Sequence, residues 1–169
     1  MEEVRVAITS DADTVVARQR GRAVADRLGF SRTEATFIAT AISEIARNIT
    51  THAGSGEITV REVVDGARRG LVVVARDEGP GIADVASVLR EDFRSGGGLG
   101  MGLWGARQLM DEIRVESVLG QGTTVTMTKW CGVDEVSRLL GDERDGVHDP
   151  ERPDPTAPSG NGARRLDRP

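Results

Sequence analysis

The sequence predicts an α/β sandwich in which helices pack on one face of a mixed, mostly antiparallel sheet. Two observations lead to this fold class. A short alternating strand is followed by two segments whose apolar residues recur at the helical period. A pair of strands, a helical segment and two further strands then complete the chain's apolar pattern. That order of elements suits one helical layer on a single sheet.

Length and composition limit the possible classes of protein. The 169 residues include 38% hydrophobic but only 3% aromatic side chains, so one core of Val, Ile, Leu and Ala is expected. The net charge of -5 argues against nucleic-acid or anionic-membrane partners. One cysteine excludes an internal disulfide. Because no transmembrane run or signal-peptide pattern occurs, we expect a cytoplasmic protein.

The end of the chain differs in composition from the rest. Five of the six prolines lie in the last twenty residues. Residues 141–169 are polar and contain few large apolar side chains, so they cannot offset the entropy cost of becoming ordered. We therefore predict a folded domain over residues 1–140 and a disordered Pro-, Gly- and charge-rich tail over residues 141–169.

The first elements are a strand and a helix. Residues 4–8 alternate as a short strand, and Ser10 or Asp11 can cap the helix that follows. Gly29 is expected to end this helix. Its predicted core face consists of Val15, Val16, Ala23, Val24 and Leu28.

The second predicted helix carries the first motif, EIARN. Ser31 or Thr33 can cap this helix. Glu44 and Asn48 are four residues apart, so they lie one above the other on the flank of the core stripe. There they either line a pocket or form a solvated helix edge. An Asn oxygen can bind Mg²⁺, and a Glu can accept a proton from a hydroxyl. The core stripe consists of Ile38, Ile42, Ile45 and Ile49.

The central strands lead into the second motif, DEGPGI. Residues 56–64 alternate, whereas residues 70–77 form a continuous apolar strand that we expect to be buried on both faces. Between them, the segment around Gly66 predicts a hairpin connection. The motif begins at Asp77 and is either a strand-ending turn or a binding loop. In a binding loop the carboxylate accepts a hydrogen bond from a purine amine, and the glycines admit the base closely.

The remaining elements surround a glycine-rich loop. A short helix is predicted near residues 84–90, a helix over residues 102–112, and strands over residues 113–117 and 123–130. Thr123 is expected near the DEGPGI motif if the two strands are neighbours. The apolar face of the later helix consists of Leu103, Ala106, Leu109 and Met110.

The loop EDFRSGGGLGMGLWG is a flexible linker, a dinucleotide-binding turn or a lid over phosphates. Gly100, Gly102 and Gly105 match G-x-G-x-x-G, but no strand precedes them, as a dinucleotide fingerprint requires. No GKS or GKT follows, which argues against a P-loop. A glycine run that ends at a helix N-terminus still suits phosphate. Arg94 either reaches a terminal phosphate or is simply exposed.

In their order along the chain, EIARN, DEGPGI, the glycine-rich loop and GTTVT resemble the GHKL ATPase family over residues 31–130. The resemblance implies the GHKL (HATPase) fold, with ATP and Mg²⁺ held between helices and sheet. Asp77 would recognise adenine, Asn48 would hold the metal and Glu44 would act as the catalytic base. The other implied cofactor-binding residues, which include an ATP lid, are Gly79, Gly81, Ile82, Arg94, Ser95, Gly96, Gly97, Gly98, Leu99, Gly100, Met101, Gly102 and Thr123.

Within that family the chain looks like an anti-sigma-factor serine/threonine kinase, of the type that acts as a switch kinase in bacterial stressosomes. This resemblance implies phosphorylation of STAS-domain antagonist and scaffold proteins, followed by activation of a PP2C-type phosphatase. The alternative is a binding module that sequesters a sigma factor and only binds nucleotide. Retention of Glu44 and Asn48 favours the kinase.

Overall fold

The computed structural model describes residues 3–90 and 102–132. Five strands form one sheet in the order β1-β2-β3-β5-β4, and all four pairings are antiparallel. The predicted sandwich with helices on one face is confirmed, and the described strands include no parallel pair. The elements are β1 (Glu3–Ile8), α1 (Asp11–Leu28), α2 (Arg32–Asn48), a π-helical turn (Ile49–Ala53), β2 (Gly56–Asp65), β3 (Arg68–Asp77), α3 (Val85–Val88), α4 (Gly102–Leu109), β4 (Glu112–Val118) and β5 (Gly122–Trp130).

Helix α1 begins and ends where the sequence predicts, but it buries a different face. Ser10 caps its N-terminus and Gly29, with φ of +84°, ends it. Val15 and Val16 are each 42% exposed, so their assignment to the core was wrong, as was that of Ala23. The small residues allow α1 to approach α2 closely instead. The buried face consists of Ala17, Gly21, Val24, Ala25 and Leu28.

Helix α2 is the centre of the helical layer and bears out its prediction. Ser31 and Glu34 form a capping box at its N-terminus, in which each side chain accepts from the other residue's backbone N–H. Each buried isoleucine of the stripe contributes roughly 1.5–3 kcal/mol. The fully or almost fully buried stripe residues are Ile38, Ile42, Ile45 and Ile49. Helix α2 then widens into the π-helical turn, a feature that often occurs at functional sites.

The sheet places its apolar side chains under the helices. Val72 is only 5% exposed on the opposite face, whereas Arg76 is exposed there, so β3 is buried on both faces only in part. Helix α4 ends three residues earlier than predicted, because the Asp111 N–H already bonds to the Thr128 carbonyl of β5. The residues of the sheet that face the core include Ile58, Val60, Leu71, Val73, Ala75, Val125 and Met127.

This topology defines where a site can form. Because β3 pairs with β5, the end of β3 lies beside the beginning of β5, with Asp77 directly opposite Thr123. The C-terminal end of α2 lies above the same edge of the sheet. The boundary predicted at residue 140 and the predicted tail lie outside the described residues.

Candidate functional site

A cavity of about 400 Å³ lies between the C-terminal end of α2 and the end of the sheet at which β3 finishes and β5 begins. Its volume is in the range of small-molecule sites, which combine apolar walls with a few polar groups. The apolar wall includes Ile45, Ile49, Ala75, Ile82, Leu103 and Val125. The polar groups are contributed by Asn48, His52, Asp77, Asp84, Ser87 and Thr123.

Asp77 is fixed at the floor of the cavity by backbone donors. Its Oδ1 accepts from the Gly79 N–H at 2.9 Å and from the Thr123 N–H at 3.3 Å. The expected proximity of Thr123 to Asp77 is therefore confirmed. No residue within 3–90 or 102–132 donates to Oδ2, so one carboxylate oxygen remains as an acceptor for a ligand.

Close approaches of the chain to itself surround Asp77. A Cβ on Gly79 would overlap Ala53 of the π-helical turn, and one on Gly122 would overlap the Asp77 carbonyl. A Cβ on Gly81 would overlap the Val118 carbonyl. Gly81 and Gly122 also have φ of +74° and +106°, values that disfavour any other residue. Gly79 and Gly81, which were expected to admit a base, are already required by the packing of the loop.

Ser117 connects the same loop to the sheet and was not predicted as a site residue. Its Oγ accepts from the Ile82 N–H at 2.8 Å and donates to the Gly122 carbonyl at 3.0 Å. It also lies 3.0 Å from Thr123 Oγ1. A serine in an alternating strand carries no sequence signal for such a role. The contact appears only when β4, β5 and the loop after β3 are assembled.

The EIARN motif at the C-terminal end of α2 borders the cavity only in part, because Ile45 and Asn48 line it and Glu44 does not. Asn48 lines the cavity, and its side chain makes no hydrogen bond to the described residues. Glu44 is half-buried one turn earlier, and its Oε2 accepts from the Gly102 N–H at 3.0 Å. Gly102 is the first residue of α4 and also lines the cavity. The structure thus brings Glu44, Asn48 and Gly102 together.

The structure describes one further residue here, His52, but not the residues of the predicted lid. His52 lines the cavity four residues after Asn48, although the sequence analysis did not assign it to a site. The lid residues Arg94, Ser95, Gly96, Gly97, Gly98, Leu99, Gly100 and Met101 lie outside the described residues, so their contacts stay a prediction.

The residues present fit ATP and a magnesium ion. The apolar walls and the Asp77 acceptor suit an aminopurine. Among the described residues no group of three or more His, Cys, Asp or Glu side chains could hold a metal alone. The Asn48 oxygen can contribute one ligand to Mg²⁺, which keeps several waters and takes substrate phosphates among its other ligands.

The chain packs its helices on one face of an antiparallel sheet, and Asp77 lines a cavity between the two layers. This arrangement is that of an ATPase-type sandwich domain. Residues 8–129 match the family model described as the histidine kinase-like ATPase domain. The chain belongs to this family, and the predicted GHKL resemblance is confirmed.

The relatives of the chain narrow its class further. It is 47% identical over 125 residues to the serine/threonine-protein kinase RsbT of Bacillus subtilis (strain 168), which covers 74% of this chain and 94% of that protein. It is 36% identical over 136 residues to the anti-sigma F factor of Thermoanaerobacter sp. (strain X514), covering 75% and 87% respectively.

A solved structure shows the same fold. The crystal structure of the RsbU and RsbW domains of Rv1364c from Mycobacterium tuberculosis has a TM-score of 0.54 and 20% identity. The match covers 76% of this chain and 32% of that one, and at this identity it bears on the fold alone.

These relationships confirm the predicted class of enzyme, a serine/threonine protein kinase, and support a role in sigma-factor regulation. Membership of an ATPase family implies that the chain binds ATP. In the part of the chain that the structure describes, no helix has the length and apolarity needed to cross a membrane.

Proposed function

We propose that this chain is an ATP- and Mg²⁺-dependent serine/threonine kinase that phosphorylates STAS-domain antagonist and scaffold proteins in the cytoplasm. It then changes partner and activates a PP2C-type phosphatase in sigma-factor regulation. The observation that carries the kinase part is one cavity lined by Asp77, with one unpaired carboxylate oxygen, and by Asn48 and Gly102, beside which Glu44 accepts from the Gly102 N–H.

At the Asp77 end the cavity takes the purine. Asp77 Oδ2 accepts a hydrogen bond from the exocyclic amine, while the backbone donors on Oδ1 prevent the carboxylate from rotating away. Ile45, Ala75 and Val125 contribute apolar contacts around the base. Recognition of a donor by a fixed acceptor selects an aminopurine, because a wrong partner leaves a buried polar group unpaired.

At the Asn48 end the cavity takes the phosphates. Asn48 supplies an oxygen to Mg²⁺, which neutralises phosphate charge when it is bound. The N-terminus of α4 lies at this end as well, although the Gly102 N–H itself already donates to Glu44 Oε2. The lid predicted from the sequence, Arg94 and Ser95 with Gly96 to Met101, lies outside the described residues and stays part of the proposal.

Glu44 is the proposed general base. It accepts the proton of the substrate Ser or Thr hydroxyl as the hydroxyl oxygen bonds to the γ-phosphorus of ATP and the bond to the β-phosphate oxygen breaks, releasing ADP. The contact of Glu44 with the Gly102 N–H holds its carboxylate at the phosphate end of the cavity.

A transfer assay tests this proposal. The purified chain is incubated with Mg²⁺, ATP labelled in the γ-phosphate and the STAS-domain proteins of its own genome. Glu44→Gln is the control, since Gln retains an oxygen for the Gly102 N–H but cannot act as a base. We expect label on a Ser or Thr of one STAS protein, and labelling about 100-fold slower with the control. ATP binding without transfer to any STAS protein would contradict the proposal.

The second candidate is sequestration of a sigma factor. The similarity to an anti-sigma F factor favours it. Co-elution of the chain with one of the sigma factors of its genome, dependent on ATP and insensitive to Glu44→Gln, would support this function. The PP2C partner is tested separately, by asking whether addition of the chain raises the activity of the genome's PP2C-type phosphatases.

A further inference from the structure

Ser117 and Thr123 lie in contact at the Asp77 end of the cavity, the proposed purine end. This contact gives Ser117 a role that extends the proposed function. We infer that Ser117 is a positioning residue that sets the direction of the Thr123 hydroxyl hydrogen, and thereby selects 6-aminopurine over 6-oxopurine nucleotides. This inference rests on the proposal that the cavity binds ATP.

The hydrogen bonds of Ser117 leave one arrangement that satisfies all its neighbours. A serine hydroxyl has one hydrogen to donate and two lone pairs that accept. The Ile82 N–H can only donate to it, at 2.8 Å, and the Gly122 carbonyl can only accept from it, at 3.0 Å. With its hydrogen on Gly122, Ser117 can interact with Thr123, 3.0 Å away, only as an acceptor.

The hydroxyl of Thr123 must therefore donate to Ser117. Its hydrogen is then turned toward β4, and its lone pairs remain for the cavity, which Thr123 lines. Asp77 is the direct cross-strand neighbour of Thr123 and presents an unpaired carboxylate oxygen. Cross-strand neighbours lie about 5 Å apart at their Cβ atoms, close enough to contact one ligand group.

The two side chains thus present acceptors only. An amine at position six of a purine carries two hydrogens and can satisfy both of them. A carbonyl oxygen at the same position would face lone pairs, and the single N1–H of a 6-oxopurine can satisfy at most one of the two acceptors. At least one acceptor is then left without a donor, which is costly in a partly buried site. Ser117 is not one of the residues that line the cavity, so it acts through Thr123.

The test compares ATP with inosine triphosphate, which carries a carbonyl at position six, by calorimetric titration with Mg²⁺ present. We expect the unaltered protein to bind ATP roughly 100-fold more tightly. In Ser117→Ala the Thr123 hydrogen is released and can point into the cavity, so the ratio of the two dissociation constants should fall by about tenfold. Ser117→Thr, which keeps a hydroxyl, should retain the ratio.

A second pair of variants makes the inference independent of the stability of Ser117→Ala. Thr123→Val should lower the ratio, and Thr123→Ser should preserve it. The double variant Ser117→Ala with Thr123→Val should show the ratio of Thr123→Val alone, because Ser117 has no hydroxyl left to orient.

The ratio of the two dissociation constants distinguishes a loss of selectivity from a general loosening of the loop, because loosening would weaken the binding of both nucleotides equally. An unchanged ratio in Ser117→Ala, or in Thr123→Val should Ser117→Ala not fold, would overturn the inference. Failure of the unaltered protein to bind either nucleotide would instead contradict the proposed function itself.

Discussion

The two ends of the cavity are held in different ways. At the purine end, backbone N–H groups fix Asp77, and three glycines allow the loop, β5 and the π-helical turn to pack in direct contact. At the proposed phosphate end, one hydrogen bond, donated by the Gly102 N–H to Glu44 Oε2, adds to the apolar packing of α4 against α2. The proposed base site is therefore part of the fold, whereas the proposed phosphate site depends on side chains that can change without loss of the fold.

The largest expected effect comes from breaking the purine end at its backbone. Gly122→Ala places a Cβ against the Asp77 carbonyl at a φ of +106°. We expect a loss of about 3 kcal/mol or more in the free energy of unfolding, because the strands must separate or distort. Urea unfolding followed by circular dichroism measures this change.

Gly120→Ala is the matched control for this prediction. Gly120 lies in the same turn with φ of +75°, but its Cβ would meet no atom within 4 Å. It should lose only about 1 kcal/mol, from backbone strain alone. Equal losses in the two variants would show that contact with Asp77 does not matter.

The next effect comes from Glu44 at the phosphate end. Glu44→Gln should lower the rate of phosphoryl transfer about 100-fold, or about 2.7 kcal/mol, because it removes the base. ATP affinity and melting temperature should stay the same, since the amide oxygen still accepts from Gly102. Single-turnover transfer and thermal unfolding measure the two quantities.

Glu44→Ala separates the role of Glu44 as a base from its role as the acceptor for the Gly102 N–H. It should show the same loss of transfer and, in addition, weaker ATP binding, because α4 is no longer joined to α2 at its first residue. Transfer at the normal rate in Glu44→Gln would remove the base assignment. Equal ATP affinity in the two variants would show that the Gly102 contact does not shape the phosphate end.

A smaller effect is expected at Asn48. Asn48→Ala should reduce the gain in ATP affinity on adding Mg²⁺ by about tenfold, corresponding to about 1.4 kcal/mol, with unchanged stability. Asn48→Asp, which keeps an oxygen at the same place, is the control and should retain a magnesium-dependent gain. The assignment fails if titrations with and without Mg²⁺ give the same gain in Asn48→Ala as in the unaltered protein.

The sequence allows prediction of those features that depend on one element or on adjacent ones. The isoleucine stripe of α2 repeats over a long helix with a strong cap, and it is buried as predicted. The face of α1 was misassigned because its core contacts are made by small residues, Ala17 and Gly21, which a pattern of large apolar side chains does not reveal.

Features that join distant parts of the chain could not be predicted. The Glu44–Gly102 bond spans a separation of 58 residues, and it depends on how α4 meets α2. The role of Ser117 depends on the pairing of β4 with β5 and on the loop that carries Ile82. The spacing of residues along the chain predicts neither the Glu44–Gly102 contact nor the direction in which the Thr123 hydroxyl donates.

The central claim is that Asp77, held in place by backbone N–H groups, accepts a hydrogen bond from the adenine of ATP. Calorimetric titration of Asp77→Asn with ATP tests it most directly. The Asn oxygen can still accept from the Gly79 and Thr123 N–H groups, while the NH₂ group replaces the cavity-facing acceptor with a donor. We expect binding at least about tenfold weaker, with an unchanged melting temperature. ATP affinity equal to that of the unaltered protein would contradict the account.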